Sequence, residues 1–240
     1  MLCYSGTISQ ESRYCRSADI PSSIRRHRPG SRDGETSMAG VKRFNKEEVL
    51  DRAMTVFWER GYEATSIDDL LKATGINRGS LYGTFGDKRQ LFLAAVDRYM
   101  EKVGSPLFTD LARGNPRDAI KRMFDSIIKR NSDGKSPAGC LITNSAVECR
   151  RIGGAITQGI ERDIKSQEDA IYETLCRASD LKLLGLNEDP RALARFFLCV
   201  AQGLNVVSRA GGGPAMLKSM AKVAMNVWPA TPDLREGNLD

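Results

Sequence analysis

The sequence predicts an all-α fold, a short three-helix head followed by a longer helical body. Beyond Met38 apolar residues recur at a helical period in segment after segment while strand signals are nearly absent. Polar capping residues and glycines or prolines bracket those segments. A glycine-spaced stretch, "TGINRGSLYGTF" from Thr74 to Phe85, joins two of them as a tight turn would.

Before the helices, residues 1 to about 40 carry Ser, Arg and Gly without apolar periodicity, so they cannot offset the entropy of ordering and read as a disordered tail. Glu11, Asp19, Asp33 and Glu35 argue against a transit peptide, and Met38 offers an alternative start that would make the tail an artefactual extension. The run "RRHR" at 25–28 reads as a solvated charge cluster.

Asn45 to Arg60 places Val49, Leu50, Ala53, Met54, Val56 and Phe57 on one stripe, and Gly61 ends it. Ser66 and Asp69 form a capping-box start for a second helix that Gly75 closes. With Asn77 as the next N-cap, Ile76 and Leu81 stand at the spacing of a hydrophobic staple. Leu81 and Phe85 then face inward, and Arg78, Gly79, Ser80 and Tyr82 face out. A helix whose tip carries small and polar groups can approach the floor of a DNA major groove. Asp87 caps the following helix, whose first turn holds Lys88 and Arg89 with Gln90 at N3, a start that offers amides and cations to a phosphate.

Composition agrees with this direction. The 240 residues are 41 % hydrophobic, enough for a sizeable core, and carry a formal charge of +6. The charge hints at a polyanion, and its local placement says more: Lys72, Arg78, Lys88 and Arg89 flank the turn with Asp87 as the one acid between Lys72 and Arg89.

From Phe44 to about Tyr99 the chain resembles the DNA-binding domain of TetR-family transcriptional regulators. The shared features are F-x-x-x-G-Y-x-x-T-[ST]-x-x-x-[IL] from Phe57, G-[IV]-x-x-[GS]-x-[LF]-Y-x-x-F from Gly75, and the lysine opening the next helix. The resemblance implies that Tyr82, Thr65 and Lys88 hold phosphates while Asn77, Arg78 and Ser80 lie near base edges. Ser66, Gly79 and Thr84 complete the expected DNA-contacting set. Many members carry histidine where this chain has Thr84, which implies a weaker backbone contact there.

The expected organisation is thus a tail at 1–40, a helix-turn-helix DNA-binding domain at 41–90, and a helical ligand-binding and dimerisation domain at 91–240. Helices are expected at 106–112, 116–131, 140–152, 155–179, 190–210 and 214–228, with prolines 106, 116, 190 and 214 at their starts. In the last two, Phe196, Val200, Leu204 and Val207 form one stripe and Met216, Met220, Val223 and Val227 another, read as the face that pairs with a second copy. Met123, Phe124, Ile127, Cys176 and Phe197 are candidate pocket residues that core packing would use equally well.

The segment "PAGCLITNSAVE", Pro137 to Glu148, resembles a G-C-L-x-x-N motif of one subset of the family, which adds Cys140 and Asn144 to the candidate ligand residues. Cys140 at a helix N-terminus reads either as a thiol sensor of electrophiles or as a small buried hydrophobe. The six cysteines show no Cys-x-x-Cys pair and the single histidine, His27, lies in the tail, so neither a metal nor a disulfide framework is expected. No nucleophile elbow, P-loop or dinucleotide fingerprint occurs, and no cofactor or catalysis is expected. No apolar run is long enough to span a bilayer, and the expected location is the cytoplasm. The reading is a ligand-responsive regulator, with repression favoured, that binds palindromic double-stranded operator DNA as a homodimer and is released by an unidentified small molecule. A helical interaction or carrier protein without DNA binding is the remaining alternative.

Overall fold

In the computed structural model, residues 44–181, 183 and 189–228 are described, with 149–152 by backbone only; the expected tail, with His27 and the 25–28 run, lies outside them. The head begins with α1 (Lys46–Arg60), α2 (Ile67–Thr74), α3 (Arg78–Phe85) and α4 (Lys88–Tyr99). Each start is capped by a side chain, Ser66, Asn77 and Asp87 as expected and Asn45 in addition. The Asn45 side chain accepts from the amides of Glu47 and Glu48, Ser66 and Asp87 each close a capping box with Asp69 and Gln90, and Asn77 accepts from the amide of Ser80. Gly75 ends α2 in the left-handed region at φ 74°, where a side chain would be strained.

The chain does not break before Pro106. A π turn at Met100–Gly104 runs on from α4 into α5 (Ser105–Thr109), and a 3-10 turn at Asp110–Ala112 finishes the run, so a separate helix starting at residue 106 is corrected. Pro106 has no N–H, and its ring would press on the carbonyl of Lys102 in an α-helical turn; the wider turn, in which the Ser105 amide reaches back to the Met100 carbonyl, precedes it directly. The head is therefore joined to the body by continuous helical backbone.

The body contains α6 (Pro116–Ser132), α7 (Leu141–Ile152), α8 (Gly154–Asp180), α9 (Pro190–Arg209) and α10 (Pro214–Met225). Asn115 and Asp189 cap α6 and α9 by accepting from amides in their first turns, and proline opens each. Among the described residues, two apolar clusters hold the fold. One lies within the body and joins Leu111, Phe124, Ile171, Phe197, Leu217 and Trp228. The other packs Phe57, Leu70, Leu81 and Phe92 of the head against Leu141, Ile142, Ile156 and Ile160 of α7 and α8, so it crosses residue 90. Fully burying one such side chain contributes about 1.5–3 kcal/mol, and the head's packing thus depends on residues far along the chain.

Candidate nucleic-acid interface

Helix α3 is short, and two side chains seat it: Leu81 at 0 % and Phe85 at 8 % exposure. Its N-terminus is fixed by the bond from the Ser80 amide to Asn77 Oδ1 at 2.8 Å. The opposite face is bare. Asn77, Arg78, Gly79 and Gly83 are exposed, Ser80 and Thr84 are half-buried, and Tyr82 is 40 % exposed. A Cβ on Gly83 would meet nothing within 4 Å, and one on Gly79 would meet Asn77 Oδ1 at an ordinary 3.5 Å. The fold itself therefore has no need of glycine at either position, although glycine inside a helix costs about 0.5–1 kcal/mol relative to alanine.

The cations around this face are held to different degrees. Arg78 Nη2 lies 2.8 Å from Asp68 Oδ1, with both side chains largely in solvent, a pair that contributes about 0–1 kcal/mol and is readily exchanged for another anion. Lys88 is half-buried with its ammonium 4.4 Å from the centre of the Tyr62 ring. Burial pushes its pKa down, against the pull of Glu63 and Glu148 in the other direction. Lys46, at the start of α1, stands 5.6 Å from the centre of the Phe85 ring, a cation beside α3 that no sequence pattern singled out.

Three expectations are corrected here. Thr65 is 1 % exposed and its hydroxyl donates to the Gly61 carbonyl at 2.6 Å, so it has no proton to offer a phosphate. Arg89 turns inward and donates to the Gly153 carbonyl at 3.1 Å. Ser66 remains exposed, but its hydroxyl donates to Asp69 Oδ2 at 2.6 Å; the same hydroxyl holds the Asp69 carboxyl below its usual range. Ser66 thus serves first as a cap.

On the far side, Phe196, Met216, Val223 and Val227 are exposed, with Val200, Val207 and Met220 half-buried. A groove of about 710 Å³ runs between α9 and α10 past Phe196, Val200, Met216 and Met220. Leu204 is corrected: at 0 % exposure it packs in the body core rather than facing solvent. Val206, 51 % exposed, was missed because it falls off the stripe the period singled out.

The candidate pocket residues do not converge. Met123, Phe124, Ile127 and Phe197 are buried in the body core. Phe124 borders a cavity of about 300 Å³ between α6 and α10, and Met123 borders another of about 390 Å³ beside α5. Cys176 is half-buried next to Tyr172, whose phenol it pushes up by hydrogen bonding. Cys140 and Asn144 belong to the head's surroundings instead: Cys140 is 7 % exposed beside Tyr99, and the Asn144 amide reaches the Trp58 carbonyl at 3.4 Å. Apolar character marked these residues as buried, and it carried no information on which of them share a cavity. Among the described residues no group of side chains is arranged to hold a metal ion, and no helix is long and apolar enough to cross a membrane.

Residues 49–95 match the family model for bacterial regulatory proteins of the tetR family, and residues 116–224 match that for the tetracyclin repressor-like C-terminal domain. The chain is 37 % identical over 192 residues to an uncharacterized HTH-type transcriptional regulator, YezE, of Bacillus subtilis (strain 168), spanning 79 % of this chain and 99 % of that protein. It is 30 % identical over 190 residues to the HTH-type transcriptional repressor ComR of Escherichia coli (strain K12), spanning 78 % and 90 %. Among solved structures it is similar to a cysteine mutant of the TetR family transcriptional regulator CifR complexed with 26-bp double-strand operator DNA, with a TM-score of 0.73 and 27 % identity over 78 % of this chain and 98 % of that one.

Proposed function

Because this chain belongs to the TetR family of bacterial regulatory proteins, we propose that it is a cytoplasmic transcriptional repressor that binds palindromic operator DNA as a homodimer and leaves it when a small molecule binds the body. It is a regulator and not an enzyme. The observation that carries the operator reading is the outer face of α3: glycines the fold does not need, next to exposed Arg78 and Tyr82 and a capped N-terminus. Arg78 and Asn77, with Gly79 and Ser80 allowing close approach, are assigned to base edges. Tyr82 and Lys88 are assigned to phosphates, with Thr84 a weaker contributor.

The exposed apolar face of α9 and α10 supplies the second copy. Two heads on one two-fold site then engage half-sites about 34–36 Å apart. A ligand that favours another arrangement of the body would separate the heads from that spacing. The cavities flanking α6 are the assigned entry points, and apolar or amphipathic compounds are the matching chemistry. The G-C-L-x-x-N segment does not favour electrophile sensing here, since Cys140 is buried and Asn144 is occupied with α1.

Fluorescence anisotropy with DNA from the gene's own upstream region tests the reading. The expected result is binding at least about tenfold tighter than to scrambled DNA, weakening steeply between about 50 and 200 mM salt as counterions are released. Equal affinity for both DNAs would overturn it.

A further inference from the structure

The corner between α1 and α2 is gripped from the body by two side chains of opposite charge. Glu148 of α7 presents Oε2 to the backbone amides of Tyr62, at 2.9 Å, and Glu63, at 3.2 Å. Arg209, the last residue of α9, donates from Nη1 to the Trp58 carbonyl at 3.1 Å and from Nη2 to the Glu59 carbonyl at 3.0 Å. The carboxylate thus takes donors just past the end of α1, and the guanidinium takes carbonyls in its last turn, where a cation also meets the negative end of the helix dipole. Such charge-assisted bonds are the stronger kind, and the fork of arginine suits two neighbouring acceptors.

Gly61 lies between the two grips. Its φ of 85° is in the left-handed region, and a Cβ on it would fall 2.2 Å from Glu148 Oε1. Glycine is therefore required there by the backbone, and the carboxylate comes so close that any Cβ would make it shift. Glu148 also pulls electrostatically on Lys88, whose ammonium sits over the ring of Tyr62.

We infer that Glu148 and Arg209 are positioning residues for operator recognition, which fix the head on the body and thereby set the distance between the two recognition helices of a dimer. The inference rests on the operator-binding reading above. The helix that ends in Arg209 also carries Phe196 and Val200 of the exposed apolar face, so one rigid element runs from the assigned dimer contact to the end of α1. The backbone through α4 and the apolar cluster shared with α7 and α8 seat the head, and the two charged attachments fix a separate corner of it, where α1 ends. Because both grips hold backbone atoms, they read where the corner is and not which side chains it bears.

The test uses duplexes that the full-length wild type selects from a random library, prepared with one half-site, with two at the selected spacing, and with two separated by a short insertion. Glu148→Ala and Arg209→Ala should bind the single half-site within about twofold of wild type, yet lose about tenfold on the selected spacing. The penalty for the insertion, large in wild type, should shrink below about threefold. Arg209→Lys keeps the charge without the fork and should behave like Arg209→Ala, which carries the test if the alanine variants fold poorly. Variants that keep the wild-type spacing penalty, or lose half-site and two-site binding in equal proportion, would overturn the inference. A wild type that enriches no sequence would instead bring down the operator reading on which it rests.

Discussion

The outer face of α3 and the outer face of α9 and α10 are both surfaces that the fold leaves open, and they are opposite in chemistry. On α3 the exposed groups are Arg78, Gly79, Tyr82 and Gly83, one cation, one phenol and two glycines. On α9, α10 and the turn that follows they are Phe196, Val206, Met216, Val223 and Val227, apolar and large. Water solvates the first at little cost and the second poorly, so the second calls for a permanent protein partner and the first for one that comes and goes. The two faces differ equally in what holds them. The α9 and α10 helices rest on a deep core, whereas α3 is seated by Leu81 and Phe85 and by its caps.

The largest expected effect comes from breaking the apolar face. Val223→Asp places a charge on a residue that is 62 % exposed in the single chain, so the fold should tolerate it. Buried unpaired in a dimer it should cost about 3–5 kcal/mol, more than a hundredfold in dissociation constant. Light scattering should then report monomer, with operator affinity lost alongside.

Next, Leu81→Ala removes the main seat of α3, a side chain with 0 % exposure, and should lower stability by about 2–5 kcal/mol in thermal or denaturant unfolding. The same class of change on the outer face should leave unfolding untouched. Arg78→Ala is expected to cost about 1–3 kcal/mol and to relax base preference at one position of each half-site, as binding to a panel of single-base variants would reveal. Lys88→Ala should weaken all sequences alike and reduce the salt slope by about 1. Equal losses for both variants on every sequence would contradict the division of roles.

The smallest effect is the most discriminating. Gly79→Ala has room in the fold and improves helix propensity, so stability should rise by roughly 0.5–1 kcal/mol while operator affinity falls. If affinity were unchanged, close approach to the groove would not be why glycine stands there.

Much of this was legible in the sequence because it is local. Ser66 with Asp69, Asn77 with Ser80, and Asp87 with Gln90 lie within one turn of each other, and their caps form as read. The stripes of α9 and α10 follow from period alone, but the period does not say which neighbour a stripe faces, and so Leu204 was placed outside when it lies in the core. Pro106 looked like a helix start because a π turn has no sequence signature of its own. Thr65 and Arg89 were misplaced for a similar reason: what occupies them is a carbonyl, Gly61 four residues back or Gly153 across the fold. The grips of Glu148 and Arg209 join residues more than eighty positions apart. Gly61 was read as a helix end, and the approach of the Glu148 carboxylate to it has no local signal in the sequence.

The most direct test of the two-face account is the mass and footprint of the complex formed with a duplex the protein selects for itself. The account predicts two copies bound together, protecting a two-fold symmetric site whose halves face the protein one helical turn apart, with Val223→Asp unable to form it. A single copy bound with full affinity, or an undiminished footprint from Val223→Asp, would contradict it.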